Sequence, residues 1–262
     1  MTTENWLGGQ HVLVSGGTQG VGAAIVRTAA ARGAGAITVT GRSADLGGAL
    51  VAELEAVGTP AQFLRVDLSD VDQARASVAG AIEGFGHLDC VVNAAGLTSR
   101  GTMLDTTPEL FDAHIAINLK APFFIMADTI RHLRERGVPG SIVNIISIAE
   151  VGGQPYLAPY VAAKAGLAGL TRNAAYAHRW DKIRINGIDI GWTATEGEGR
   201  IQRQAHGAGD DWLAKADASV PMGRISRPDD LAEFAVFLLS ERAGVVTGSV
   251  IDWDQQVIGG QD

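Results

Sequence analysis

The sequence predicts an α/β fold, a single doubly wound parallel sheet with helices on both faces. Two observations carry this. Short apolar, β-branched runs alternate with longer Ala-rich stretches of helical period along the whole chain. Repeated βα units of this length join parallel strands by right-handed crossovers, which place helices on each side of the sheet. With 262 residues, 46% of them hydrophobic and 19% charged, one globular domain over 1–262 accounts for the chain.

Taken in order, 11–15 is a strand and 20–32 a helix; 36–40 and 44–57 follow, then 62–66 with 70–85, and 88–92 with 108–135. Strand 141–146 leads to helix 157–178 and strand 183–190, and helix 229–239 precedes a last strand near 249–253. The segment 191–227 breaks this rhythm with six glycines, mixed charge and two tryptophans. A long irregular stretch inside a compact domain is usually a lid or binding loop, here expected at about 192–222.

Composition removes several classes of function. The net charge is −8 with no long basic block, so no nucleic-acid partner is expected. The apolar runs CVVNAAGL, APFFIMA and SIVNIISIA each fall short of the roughly 18 residues of a membrane span, so no membrane partner is expected. The amino terminus lacks the pattern of an export signal, and the one cysteine, Cys90, has no internal disulfide partner; both fit a cytoplasmic protein. Cys90 itself reads as a small buried hydrophobe.

Ligands of such sheets bind just beyond the carboxyl ends of the strands. There the first strand runs into SGGTQGVG, where Gly16, Gly20 and Gly22 permit a tight turn, close backbone approach to a ligand, and close packing of helix on sheet. The helix that follows aims free N–H groups at a pyrophosphate. The arrangement is Rossmann-like and indicates a dinucleotide. At the end of the second strand, TVTGRS places Gly41 where a ribose-binding acid would stand and Arg42 next to it, which favours NADP(H) over NAD(H).

Tyr160 and Lys164 lie one helical turn apart and share a face. Bringing a phenol into use near neutrality takes a pKa drop of about three units, or roughly 4 kcal/mol. An ammonium about 4 Å away supplies about that much at an effective dielectric near 20. Ser147, after strand 141–146, arrives at the same sheet edge. Asn118 falls in mid-helix, where it holds either a backbone distortion or a water.

With these residues in place, the chain resembles the short-chain dehydrogenases/reductases, in their shorter, non-extended branch. The likeness runs through SGGTQGVG, VDLSD, NAAG, IAINLKAPF, IVNIIS, YVAAK, INGIDIGWTAT, GRISRPDDLAEFAVFLLS and TGSVID. It implies that Tyr160 is the acid/base, that Lys164 lowers its pKa and bonds the nicotinamide ribose, that Ser147 orients the substrate oxygen, and that Asn118 holds a water in a proton relay. The implied reaction moves a hydride between a nicotinamide cofactor and a secondary alcohol or ketone.

The resemblance also implies a cofactor bed. Besides Gly16, Thr18, Gln19, Gly20, Val21, Gly22 and Arg42, it includes Asp67 and Leu68 at the adenine, Asn93, Ala94 and Gly96 after the fourth strand, and Gly191, Thr193 and Thr195 near the carboxamide and phosphates. Asp67 also suits a helix start. Two departures stand out: Ile190-Gly191 replaces Pro-Gly, and Asp254-Gln255-Gln256 replaces Asp-Gly-Gly. Small residues along 162–169, together with the family likeness, imply a symmetric dimer or tetramer.

Substrate contacts are expected from Thr98, Arg100, Glu150, Gln154, Trp192, Glu196 and His206. These polar types favour a sugar or polyol. Two alternatives share the motifs: a catalytically idle NAD(P)-binding regulator, and an epimerase or dehydratase. No metal is expected.

Overall fold

A computed structural model of the chain describes residues 5–257. Residues 1–4 and 258–262, the ends of the expected 1–262 domain and the start of the segment read for an export signal, lie outside the described residues.

Seven strands, β1 His11–Ser15, β2 Ala36–Gly41, β3 Ala61–Arg65, β4 Cys90–Asn93, β5 Gly140–Ile145, β6 Ile183–Ile190 and β7 Val250–Trp253, make one sheet. Their order is β3-β2-β1-β4-β5-β6-β7, and every pairing is parallel. Alternating residues of one strand serve opposite layers. Val12 and Val14 pack with α1 Gly20–Ala31, α2 Ala44–Ala56 and α9 Pro228–Leu239. Leu13, between them, packs with α3 Val71–Phe85, α5 Ala121–Arg136 and α6 Ala158–His178. Both faces are therefore covered, and each fully buried Leu or Ile contributes about 1.5–3 kcal/mol.

Local chemistry sets the helix ends. Asp70 caps α3 by accepting from the amides of Asp72 at 2.9 Å and Gln73 at 3.4 Å, and Gly86 closes it at φ 79°. β4 starts at Cys90 rather than 88, because the Leu88 amide donates to His132 Nε2 at 3.2 Å instead of joining the ladder. Cys90 is fully buried, and burial pushes its thiol up to about 12. It is an inert core residue.

The helix expected at 108–135 is continuous but not uniform. α4 Pro108–Ile115 passes into a π-helical turn, Ala116–Lys120, and then into α5. Pro108–Arg136 is long and apolar enough to cross a membrane by length and composition, although no single apolar run within it is. Ile125, Met126, Ile130 and Leu133 sit in the core beneath α3 and the sheet, so one face of its second half packs inside the domain.

Segment 191–227 is more ordered than its glycines imply. It holds α7 Glu196–His206 and α8 Trp212–Ala218. Thr195 caps α7 by accepting from the Glu198 amide at 3.0 Å, and Gly207 ends it at φ 62°. Gly199 lets the Trp212 ring lie against α7, where an added Cβ would stand 3.3 Å from the indole.

Candidate active site

β1 and β4 are neighbours whose outgoing loops part toward opposite faces, and the crevice opens between them. Its floor is tight. Gly16 has φ 73°, and a Cβ there would fall 2.6 Å from Ala95 Cα. One on Gly22 would fall 2.2 Å from the Gly16 carbonyl oxygen. Gly20 takes φ 55°. Gln19 at the α1 N-cap makes no side-chain cap, and the first turn carries no acid. The amides there remain free for an anion, so the turn fits a dinucleotide pyrophosphate.

An open cleft of about 950 Å³ runs from this turn to Tyr160, and every cofactor residue expected from the sequence lines it except Asn93. Asn93 lies beneath the floor: its amide nitrogen donates to Asn144 Oδ1 at 2.8 Å, and Asn144 donates onward to Thr171 Oγ1 at 2.8 Å. It braces β4 against β5 instead of facing a ligand. Asp67 does line the cleft, yet its Oδ1 accepts from the Ser69 amide at 2.9 Å and hydroxyl at 2.8 Å. Those bonds hold its carboxyl below the usual range, with help from the Arg42 charge.

Tyr160 and Lys164 meet at the inner end. Both are buried, and the ammonium lies 5.7 Å from the centre of the phenol ring. Lys164 Nζ donates to the Ile145 carbonyl at 2.7 Å. Burial pulls the lysine down to about 8, opposed by the charge of Asp189. The phenol departs from the sequence expectation: burial pushes Tyr160 up to about 12, countered by a hydrogen bond with Ser147 and by the charge of Arg100. Desolvating the phenolate outweighs its neighbours, and Tyr160 stands neutral near pH 7.

Asn118 occupies the π-helical turn. Its side chain clasps the loop after β4, accepting from the Leu97 amide at 2.9 Å and donating to the Leu97 carbonyl at 3.0 Å. Of the two roles open to it, the side chain serves the distortion and the loop.

Sequence reasoning missed Asp189, on β6 and 1% exposed, whose Oδ1 has no hydrogen-bond partner among the described residues. Burial, then the charges of Glu150 and Asp252, push its carboxyl up to about 7, and a bond from the Ser147 amide works against them. The unfolded reference is 3.8, so the folded state increasingly resists ionisation as pH rises from about 4 through 7. The loss is at most about 4 kcal/mol above that range. Asp189→Asn is accordingly expected to melt several degrees above the parent at pH 8.5, with the gap shrinking at pH 4.5. An equal gap at both pH values would refute the assignment.

At the outer end, Thr98, Arg100, Gln154, Trp192, Glu196 and His206 line the cleft as expected. Glu150 does not: it turns toward α6 and pairs with Arg172 at 3.9 Å, because the 3₁₀ turn Ile148–Val151 carries it away from the opening. Residues the sequence did not single out, Tyr156, Glu198 and Gln202 among them, also line the wall. Glu198 Oε1 accepts from Trp192 Nε1 and Gln202 Nε2, both at 2.8 Å. The segments that carry the two departures from the family pattern meet one another and the lid segment. Asp254 packs on Gly191, where a Cβ would strike its Oδ1 at 2.0 Å. Gln255 accepts from the Met222 amide at 2.7 Å and donates to the Arg224 carbonyl at 2.9 Å, tying the far end of 192–222 to the strand β7 side.

A doubly wound sheet, a glycine turn at its switch point and a buried Tyr-Lys pair with a facing serine define a nicotinamide-dependent oxidoreductase. The profile of the family described as enoyl-(acyl carrier protein) reductase matches residues 16–255. The 2,5-dichloro-2,5-cyclohexadiene-1,4-diol dehydrogenase of Sphingobium indicum is 36% identical over 250 residues, covering 95% of this chain and 96% of its own. The L-rhamnose 1-dehydrogenase (NAD(P)(+)) of Azotobacter vinelandii is 33% identical, covering 91% and 92%. A crystal structure described as a short-chain alcohol dehydrogenase, from Sinorhizobium meliloti, superposes with a TM-score of 0.87 at 31% identity, covering 97% and 98%. The chain belongs to the short-chain dehydrogenase/reductase family, and it is an NAD(P)-dependent oxidoreductase.

Proposed function

We propose that the protein interconverts a secondary alcohol and its ketone on a sugar- or polyol-like substrate, with NADP(H) favoured over NAD(H). The observation that carries this reading is the meeting of the Tyr160 phenol, the Ser147 hydroxyl and the Lys164 ammonium in the same cleft as the glycine turn 16–22. Diol and rhamnose dehydrogenases among the relatives support the substrate class.

In this reading the amides of the 16–22 turn hold the pyrophosphate, Arg42 faces the adenosine end, and Gly191, Thr193 and Thr195 lie along the nicotinamide half. When bound, the nicotinamide supplies or accepts the hydride. Ser147 hydrogen-bonds the substrate oxygen. In reduction the neutral Tyr160 hydroxyl gives its proton to that oxygen; in oxidation the phenol first loses its proton and then takes the one on the alcohol. Lys164, near 8, exchanges protons readily at working pH and passes them toward solvent along the Asn118 side. The segment 192–222 serves as the lid over the substrate.

A panel of sugars, polyols and their ketones, followed by nicotinamide absorbance in both directions, tests the reaction. No absorbance change with either cofactor would favour the idle regulator. Cofactor choice has its own test. Gly41 has no room for an acid, since a Cβ there stands 2.7 Å from Thr18 Cγ2, and Arg42 is exposed at the cleft. Arg42→Asp is expected to raise the Kd for NADPH more than about tenfold while that for NADH moves less than about threefold. Equal losses would overturn the preference.

Self-association is the remaining part of this reading. Phe111 on α4 and Phe123 on α5 are nearly half exposed at 43% and 45%, and Gly169 on α6 meets nothing within 4 Å. These faces suit a symmetric dimer or tetramer through α4, α5 and α6. Light scattering should return two or four times 27.3 kDa; a monomer would rule it out. A cytoplasmic setting suits the lone, buried Cys90, and cell fractionation checks it.

A further inference from the structure

The substrate end of the cleft contains a cation without a counterion. Arg100 lies on the loop after β4 and lines the cleft with Tyr160. Its Nη1 donates to the Thr98 carbonyl at 3.0 Å, its Nη2 meets His206 Nε2 at 3.4 Å, and its guanidinium lies 5.2 Å from the centre of the Tyr156 ring. The Tyr156 and His206 rings meet edge-on at 6.1 Å. Three separate segments of the chain thus hold this one side chain in place. Its Nε is buried and has no hydrogen-bond partner among the described residues.

Several arginines outside this cleft are ion-paired. Arg172, Arg224 and Arg227 each pair with a carboxylate. Glu198, the acid on the opposite wall of the same cleft, already accepts from Trp192 and Gln202. Arg100 has no acid within ion-pair distance among the described residues. A guanidinium presents its donors as a fork that matches a carboxylate, and a buried N–H left unpaired costs about 1–3 kcal/mol. Thr98 and His206 take one donor from each terminal nitrogen, which leaves Nε and the remaining N–H groups of Arg100 without an acid in the cleft that Tyr160 also lines.

We propose that the substrate carries a carboxylate that docks on Arg100, so that the enzyme interconverts a hydroxy acid and an oxo acid. The inference rests on the oxidoreductase reading of this cleft and narrows it. In oxidation the carbinol C–H bond breaks and its electron pair leaves as hydride to the oxidised cofactor. The O–H proton goes to the Tyr160 phenolate, and the carbon becomes a ketone. The carboxylate is unchanged, and the alcohol has given up one hydride to the cofactor and one proton to the phenolate, which balances.

Two probe pairs test this with the full-length enzyme and both cofactors: D-gluconate against D-glucitol, and 3-hydroxybutyrate against its methyl ester. The carboxylate member should show the higher kcat/KM in at least one pair, by about 10- to 100-fold. Arg100→Gln should collapse that ratio toward one through a rise in KM for the acid, and Arg100→Lys, which keeps the charge but loses the fork, should retain part of it. A neutral probe equal to or better than its acid in both pairs, or a ratio unchanged in Arg100→Gln, would overturn the proposal. Calorimetric titration of gluconate and of 3-hydroxybutyrate into enzyme holding NADP⁺ separates the two levels. Binding lost in Arg100→Gln but without turnover sustains the anion site and sinks the hydride-transfer reading; no binding of either acid sinks the anion site.

Discussion

Tyr160→Phe is expected to lower kcat by at least about 10³-fold while changing cofactor affinity less than about threefold. The substitution removes one oxygen and keeps the ring, which is buried and packs edge-on with His114 at 6.2 Å, so the fold has little reason to move. What is lost is the only phenol at the inner end of the cleft, the group bonded to Ser147 and influenced by Arg100. A proton pushed up to about 12 also fixes the pH behaviour of the parent. The phenol is fully protonated for carbonyl reduction across the neutral range, whereas oxidation depends on a small phenolate fraction that grows with pH. Oxidation by the parent should therefore accelerate through the alkaline range, and the residual rate in the phenylalanine variant should not follow it. Steady-state kinetics in both directions, with cofactor binding measured by nicotinamide fluorescence, decide the matter. A kcat within tenfold of the parent would remove Tyr160 from the chemistry.

Gly16→Ala should damage both the fold and the cofactor bed. The backbone there sits at φ 73°, and the added methyl would lie 2.6 Å from Ala95 Cα and 2.7 Å from its nitrogen. The first effect costs about 1–2 kcal/mol. The second forces apart the loops leaving β1 and β4, which is the crevice itself. Together they predict a melting temperature lower by about 5–15 °C and cofactor binding weaker by more than about 30-fold. Gly48→Ala is the control: it is a helical glycine of α2 with nothing within 4 Å of the added carbon, and it should be neutral or slightly stabilising. A Gly16→Ala protein that melts within 2 °C of the parent would show that the turn yields.

The inner strands are legible because they are buried on both faces, and β1 HVLVS and β6 IRINGIDI fall where their β-branched residues place them, to the residue. Boundaries drifted where something other than periodicity decides them, as at Leu88, whose amide turns to a histidine. α7 and α8 escaped notice because Gly197 and Gly199 argue against a helix, while the cap at Thr195 and the Trp212 contact that favour one depend on tertiary placement. The Tyr160, Lys164 and Ser147 positions follow from helical spacing and strand ends. Their protonation does not, since it depends on burial that spacing cannot reveal. Asp189 lay hidden within an apolar strand, and Asn93 and Asn118 are at the right places but bond the scaffold. Glu150 was displaced by a single short turn.

The close fit between Gly41 and Thr18 limits how the coenzyme preference of this enzyme can be re-engineered. Introducing an aspartate at the end of β2 would drive its first carbon into the threonine hydroxyl, 2.8 Å away, as well as the methyl. A designer would have to trim position 18 in the same step, so the two sites form one coupled lever and neither is an independent dial.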